Sequence, residues 1–582
     1  MTEQDGGASR APGGPGGASA PGPPGASDAS PDARVRPYGD DALLVDLPGL
    51  EAVRALDAAL RDRPVPGAVD VVPAARTLLV RFGSPTAARD AAEALAERAR
   101  AAVAAAPTVD ATGPSAPGST VVLPVRYDGA DLAEVARVTG LPEGEVVRRH
   151  AAATYTVAFG GFMPGFAYLS GLDPALHVPR RRSPRERVPA GAVAVAGEFA
   201  AVYPAATPGG WMLLGTCDVP LFDVDRDPPA LLRPGTRVRF VPVDDPGAGA
   251  ATAAALSTPA AARLSPPAPP ATGPHAPVPT ALDSRPSRVP AAPRPEIEVL
   301  APGPSTLVQD RGRPGLASVG VGRSGAADAG ALRLANRLVG NAPDAAGLEV
   351  LLGGLVVAFP AGGVVALAGA EVPADVDGVP VAPHAATRVP PGGVLRTGTA
   401  SRGVRLYVAV RGGLAVPPVL GSRAADRLAG IGPAPLRAGD VLPVGTDVLD
   451  AAQPWADPSR SWPEPVVLRV SPGPRADWCA PGALDRLVAA RYVVSPASDR
   501  VALRLDGPPV ERLDRGELPS EPLVPGAVQV PPDGRPVVFG ADHPVTGGYP
   551  VLAVVEPRSR DLAAQLRPGD AVTFSLLDAP PR

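Results

Sequence analysis

The chain contains no lysine: all 55 basic residues among its 582 are arginine. That excludes chemistry needing a primary side-chain amine, such as a P-loop lysine, a Schiff-base lysine for pyridoxal phosphate or a biotinylated carrier lysine. A phosphate met by a side-chain cation here must be met by arginine. Ala, Arg, Gly and Pro are inflated together, the pattern of codon bias in a GC-rich genome, which accounts for the missing lysine without invoking function. The formal net charge is -4, so there is no basic excess to coat nucleic acid. Cysteine is nearly absent too. Cys217 and Cys479 lie too far apart for a disulfide framework or a paired metal ligand, and the histidines at 150, 177, 275, 384 and 543 never reach ligand spacing. No apolar run attains the roughly 18 residues that span a bilayer, and the N-terminal stretch has no apolar signal core. A cytoplasmic protein is expected, with no membrane or nucleic-acid partner and no metal held by a protein-only cluster.

What is abundant is Gly (66) and Pro (79). Residues 1–33 and 244–295 are Pro/Ala/Gly/Ser-rich without periodicity and read as a tail and a linker. A shorter break at 107–119 divides the first half. Residues 34–106 alternate strand-like runs with amphipathic helices. Val53, Leu56 and Leu60 recur on one helical face, and Ser84 followed by Pro85 opens a second helix. A small α+β domain is expected there, and β-rich units at 119–243, 296–446 and 463–578. An internal repeat supports the last reading. VPAGAVAVAG, TPGGWMLLG and LRPGTRVRF (188–240) return in order as LVPGAVQVP, VTGGYPVLAVV and LRPGDAVTF (523–574), with a weaker echo, LRAGDVLPV, at 436–444. The repeat predicts a mainly β fold of three related barrels, one in the first half and two in the second.

The scarce aromatics concentrate at 155–222 among Gly and Pro turns that let backbone approach a ligand: Gly165, Phe166, Tyr168, Pro189, Gly191, Gly209, Gly210 and Trp211. Beside them Arg180, Arg181, Arg182, Arg185 and Arg187 are suited to clamping a phosphate or carboxylate. A barrel core with tight turns and a solvated arginine face is the competing reading. His150 precedes this stretch as a candidate acid or base, with a structural histidine as the competing reading. The second half offers polar residues in glycine-flanked loops: Gln309, Asp310 and Arg311; Ser324, Gly325 and Asp328; Glu349; Asp499 and Arg500; Glu521; Gln529; Asp542; and Gly547, Gly548 and Tyr549. The carboxylates among them are candidates for a general base or for Mg2+, and for each one taken singly a turn cap is the favoured competing reading.

Residues 34–243 resemble the KipI family (the B subunit of 5-oxoprolinase, allophanate hydrolase subunit 1) through PYGD, His150, GFMPGFAYL, PRxxSPR, VPAGAV and PGGW. Residues 297–577 resemble KipA (the C subunit of 5-oxoprolinase, allophanate hydrolase subunit 2) through VQDRGR, SGAxD, LANRLVGN, LGSR, SDR and TGGYP. The resemblance implies cyclophilin-like barrels and a partnership with a LamB/YcsF-type A subunit of 5-oxoprolinase. It also implies ATP with Mg2+ activating 5-oxo-L-proline for hydrolysis to L-glutamate, and a homo-oligomer is compatible with it. In that reading the site lies between the halves, with Arg180 and Arg185 facing phosphates and Asp310, Asp328 and Asp542 as base or Mg2+ ligands. The same domain pair serves as the carboxyltransferase part of urea carboxylases, for which biotin would arrive on another chain, and KipI/KipA-type proteins regulate a sensor histidine kinase; both are the alternatives. Three positions depart from the family pattern: Thr216 where the family has Arg, Ala502 after SDR, and Pro544 ahead of TGGYP.

Overall fold

The computed structural model describes residues 33–106, 120–181, 183, 185–244, 295–455, 462 and 464–577. The expected tail (apart from Ala33), the linker 245–294, the break at 107–119 and Arg182 lie outside them.

The first unit is the expected α+β domain, an antiparallel sheet in the order Arg34–Pro37, Ala42–Asp46, Thr77–Phe82, Ala68–Pro73. Helices Leu50–Asp62 and Pro85–Ala105 cover one face. Ser84 caps the second by accepting from the Ala87 amide at 3.2 Å, with Pro85 opening the helix. Successive strand residues serve opposite faces. Leu43, Val45, Leu78 and Val80 pack on the helices. Ala42, Leu44, Leu79 and Val72 join Tyr38 against Leu523, Val524, Phe539 and Val554, at the far end of the chain. This sheet is therefore buried on both sides, and its second cover is supplied by the other half of the sequence.

The repeat is real at the level of topology. The first half holds a seven-stranded sheet in the order Met212–Thr216, Ala192–Ala196, Phe199–Val202, Ala167–Ser170, Tyr155–Gly160, Arg237–Pro242, Thr120–Val125. Its ends are joined by the bridge between Arg126 and Thr216. The last unit is a closed barrel in the order Val551–Val555, Ala527–Gln529, Val537–Phe539, Ala502–Asp506, Arg491–Val494, Ala571–Leu576, Val466–Pro472. Strand for strand the two orders coincide. In each, the strand following the LRPG turn pairs parallel with the first strand of its unit.

The middle unit differs. Residues 295–455 form a six-stranded and a five-stranded sheet around one core containing Val299, Leu348, Val357, Leu367 and Val408. Its LRAG strand, Val441–Pro443, pairs antiparallel with Glu296–Pro302, so the weak third echo carries a turn and not the pairing of the other two. Among the described residues no helix is long and apolar enough to cross a membrane.

The halves are docked through backbone as well as side chains. The Gly165 amide donates to the Val319 carbonyl at 3.0 Å, and the Gly315 amide donates to Asp70 at 2.8 Å. Gly320 has φ +80°, and a Cβ there would fall on the Met163 carbonyl. Gly320→Ala is expected to cost about 1–3 kcal/mol in denaturant unfolding and to hasten proteolytic separation of the halves. Gly439→Ala, at φ +90° with nothing in reach, isolates the backbone strain; equal losses for the two would refute the docking role of Gly320.

Candidate functional site at the junction of the halves

A cavity of about 270 Å3 opens where the α+β unit, the middle unit and the last barrel meet. The α+β unit lines it with Asp41 and Arg81, the middle unit with Asp310, Arg311, Arg323 and Ser324, and the last barrel with Asp499, Arg500, His543 and Arg560. In all, seven arginines face four aspartates. Burial, with Arg81 opposing protonation, pushes His543 down to about 4, so it adds no charge at neutral pH. The cavity is a cationic one, with Leu503, Val538 and Phe539 as an apolar wall.

Arg500 organises the floor. Nε and Nη2 form a fork on Asp542 at 2.9 and 3.0 Å, Nη1 donates to Glu349, and Nη2 also donates to the Gly325 carbonyl at 2.7 Å. Burial would raise both carboxyls, but Arg500 outweighs it and holds Glu349 and Asp542 below their usual range. The Ser324 hydroxyl donates to Asp542 at 2.6 Å. Ser324 has φ +53°, a conformation costly outside glycine that the surrounding bonds hold in place. The Tyr407 hydroxyl donates to Glu349 at 2.6 Å and accepts from the Asp328 amide at 2.8 Å. Beside Asp542, burial and the Asp542 charge push Asp426 up to about 6.

Of the residues singled out in the sequence, Asp310, Arg311, Ser324, Gly325, Asp328, Glu349, Asp499, Arg500 and Asp542 gather at or directly beneath this cavity. Their roles divide. Asp310 is consumed by donors: the Gly312 amide at 2.7 Å, the Ser422 hydroxyl at 2.7 Å and the Arg423 amide at 2.6 Å. Asp328 caps helix Ala329–Val339 through the Ala331 amide and accepts from Gln565. Those two are the turn-capping reading, not base or Mg2+ ligands. Gln309 lies behind them, donating to the Ala425 carbonyl at 2.8 Å.

A second group lines the docking seam rather than the cavity. The Tyr168 hydroxyl meets Ser520 at 3.2 Å, Arg180 donates to Ser520 at 3.4 Å, and a Cβ on Gly548 would touch Arg180. Gly165 joins the seam through Val319, and Glu521 accepts from Arg475, which also holds Asp46. Gly547 packs on Leu523 and Gln529, while Gln529 donates to the Tyr549 carbonyl at 3.0 Å. Tyr549 is exposed with Arg512 over its ring.

The remaining candidates are structural. His150 is fully buried, bonded to the Tyr127 hydroxyl at 2.7 Å and stacked on Phe240. Burial pushes it down to about 3, so it is a neutral core residue and not a catalytic acid or base. Arg185 is fixed on Asp131 at 2.6 Å, away from any phosphate at the cavity. Phe166 and Trp211 are core; Pro189 and Gly191 shape a turn against Tyr203 and Cys217, Gly209 ends strand Thr207–Gly209 against Tyr203, and the Gly210 carbonyl accepts from the Arg181 amide. Thr216 bonds Asp128 at the barrel closure, and the Pro544 carbonyl accepts from His543. Sequence reasoning missed Asp41, Arg81, Arg323, Arg405, Asp426 and Arg560. Asp41, adjoining PYGD, and Arg323, adjoining SGAxD, carried a local signal.

Residues 33–232 match the carboxyltransferase domain, subdomain C and D, and residues 319–576 match the carboxyltransferase domain, subdomain A and B. The chain is 36% identical over 281 residues to the C subunit of 5-oxoprolinase from Escherichia coli, covering 48% of this chain and 90% of that protein. It is 35% identical over 237 residues to the B subunit of 5-oxoprolinase from Bacillus subtilis, covering 36% and 93%. The chain belongs to the family of the B and C subunits of 5-oxoprolinase. A B-type half thus precedes a C-type half. The crystal structure of TTHA0988, 38% identical with a TM-score of 0.73, covers 93% of this chain and 100% of that one, so the two-half arrangement recurs in another single chain.

Two outcomes are expected from this geometry. Arg500→Met leaves buried Asp542 without a cation and Glu349 with only its 3.5 Å ion pair to Arg405, and should cost about 3–5 kcal/mol in denaturant unfolding; a loss below about 1 kcal/mol would refute the keystone role. Asp426 is raised from about 3.9 when unfolded to about 6. The folded state therefore binds its proton more tightly, and stability falls as pH rises from about 4 to about 6, by at most about 3 kcal/mol. His150 and His543, both depressed, have the opposite sign and lose stability as pH falls below about 6.5. The difference in unfolding free energy between wild type and Asp426→Asn should show the Asp426 slope alone; a flat difference would contradict the assignment.

Proposed function

We propose that the chain is the fused B and C component of an ATP-dependent 5-oxoprolinase, acting with a LamB/YcsF-type A subunit to convert 5-oxo-L-proline to L-glutamate. The observation that carries this reading is the cavity itself. It is cationic, built from both halves, and contains polar residues by which the C-type half resembles its family. A five-membered lactam is a stable amide, and ATP supplies phosphorylation of the carbonyl oxygen, which makes the carbon a better electrophile. In phosphoryl transfer, positioning and charge stabilisation supply most of the catalysis, and both are what this chain offers. Arg500, rigidly held by Glu349 and Asp542, presents a fixed guanidinium plane. Ser324, tied to Asp542, presents a hydroxyl whose proton is already directed away from the cavity toward a carboxylate.

Mg2+ fits as an ion carried by phosphates. Among the described residues no group of three His, Cys, Asp or Glu side chains is set to hold a metal. Asp499 lines the cavity and uses Oδ1 on the amides of Val501 and Ala502, which suits the one or two protein carboxylates that Mg2+ usually takes.

Mixing the full chain with a LamB/YcsF-type partner, ATP, Mg2+ and 5-oxo-L-proline should yield glutamate and phosphate together, and Arg500→Met should abolish both. No glutamate above either protein alone would reject the reading. Carboxyl transfer from a carboxybiotin carrier to urea under the same conditions would put the carboxyltransferase alternative in its place.

A further inference from the structure

Three arginines of the cavity come from three separate units and approach one another. Arg81 lies on strand Thr77–Phe82 of the B-type half, Arg323 in the loop before helix Ala329–Val339, and Arg560 on helix Pro557–Ala563. The Arg81 side chain is only 8% exposed, and its Nε is buried without a hydrogen-bond partner. Its ion pair is a single 3.3 Å contact from Nη2 to Asp41. Arg560 donates Nη1 to the Pro525 carbonyl at 2.9 Å, and Arg323 donates Nε to the Arg311 carbonyl at 3.2 Å. Neither bond neutralises charge. Asp70, the other carboxylate close to Arg81 and Arg323, accepts the amides of Gly315 and Ala317.

The proximity registers in their acidity. Burial and then the Arg81 charge hold Arg323 below the usual guanidinium range. Burial likewise lowers Arg560, with Asp41, Asp40 and Asp561 opposing and Arg81 adding to the effect. Desolvated like charges are costly unless an anion meets them. A ligand with a single carboxylate would bring one negative charge to three guanidinium forks. A polyphosphate carries several, and its oxygens match bidentate arginine. The volume of about 270 Å3 falls below the roughly 300–1,000 Å3 of pockets that enclose drug-sized ligands, which suits a phosphate chain inside with the rest of a nucleotide toward the mouth.

We propose that Arg81, Arg323 and Arg560 bind the phosphate chain of the nucleotide, so that the B-type half completes a polyphosphate site built mainly on the C-type half. The nucleotide's identity rests on the ATP-dependent reading above; the polyphosphate class rests on the arginines.

Calorimetric titration of the full chain, without partner or 5-oxoproline, tests it. Inorganic tripolyphosphate and ATP should bind, adenosine should not, and 5-oxoproline should fail to displace tripolyphosphate. Arg81→Gln, Arg323→Gln and Arg560→Gln should each weaken tripolyphosphate by at least about tenfold. If Arg81→Gln does not fold, judged by near-ultraviolet circular dichroism, Arg323→Gln and Arg560→Gln decide. No tripolyphosphate binding at millimolar concentration, or unchanged affinity in the folded variants, overturns the site. The glutamate assay is independent: glutamate formed with variant affinities unchanged sinks the site alone. Tripolyphosphate binding that the variants lose, with no glutamate formed, sinks the oxoprolinase reading alone.

Discussion

The junction depends on one buried cation. Arg500 belongs to the last barrel's sequence, Glu349 to a strand of the middle unit, and Gly325 to the loop that carries Ser324. A guanidinium held by two carboxylates and a carbonyl leaves little freedom, because any displacement exposes a buried charge to an apolar surrounding. The pairing need not add net stability to specify geometry. Its consequence is registry: the middle unit and the last barrel meet in one relative placement, within hydrogen-bond tolerance. Ser324 can then be kept at φ +53°, and the loop from 310 to 328 becomes a wall rather than a mobile segment.

The α+β unit extends the same logic across the halves. The central strands of its sheet are covered on both faces, and the apolar residues that would otherwise be exposed, Tyr38, Leu44 and Leu79, are covered by Leu523, Phe539 and Val554. Polar contacts flank this patch, with Arg475 between Asp46 and Glu521 and Asp70 under the amides of Gly315 and Ala317. A separate B-type protein would have to find its C-type partner by diffusion to bury that face. Covalent fusion replaces that step with an intramolecular one at high effective concentration and fixes the stoichiometry. Arg81 reaches the cavity only because the sheet docks in this way.

Much of the architecture was legible because it rests on local signals. Ser84-Pro85 marks a helix start, and the ordered PG turns mark equivalent strands in two barrels. The third echo misled because LRAG encodes a turn, while strand direction is decided by what the turn leads back to. The polar loop residues of the C-type half were legible as a site because Gly-flanked Asp, Arg and Glu have no apolar reason to be there. Their individual roles were not. Asp310 and Asp328 differ from Asp542 only in which donors surround them, and those donors come from residues far away in sequence. His150 and Arg185 sat in a conspicuous motif yet serve the B-type half's own core and surface. Arg81, near the end of strand Thr77–Phe82, carries no motif signal; it becomes a cavity residue only through the docking of that sheet against the C-type half.

The absence of lysine acquires a physical meaning in this cavity, whatever its genomic cause. A buried lysine among like charges can shed its proton, since desolvation lowers its pKa by several units. Arginine, with a pKa above about 12, keeps its charge under the same burden. Seven arginines around one cavity therefore cannot relieve their repulsion by deprotonating at neutral pH. They must find carboxylates, carbonyls or a ligand. Arg500 and Arg405 find Glu349, and Arg500 also finds Asp542. Arg81, with Nε unpartnered, makes one 3.3 Å contact to Asp41 and lies near Asp70, whose carboxylate is engaged by the Gly315 and Ala317 amides. The unequal satisfaction of chemically identical groups divides the cavity into a finished scaffold and an electrostatically unfinished wall, and the unfinished wall is the part contributed jointly by both halves.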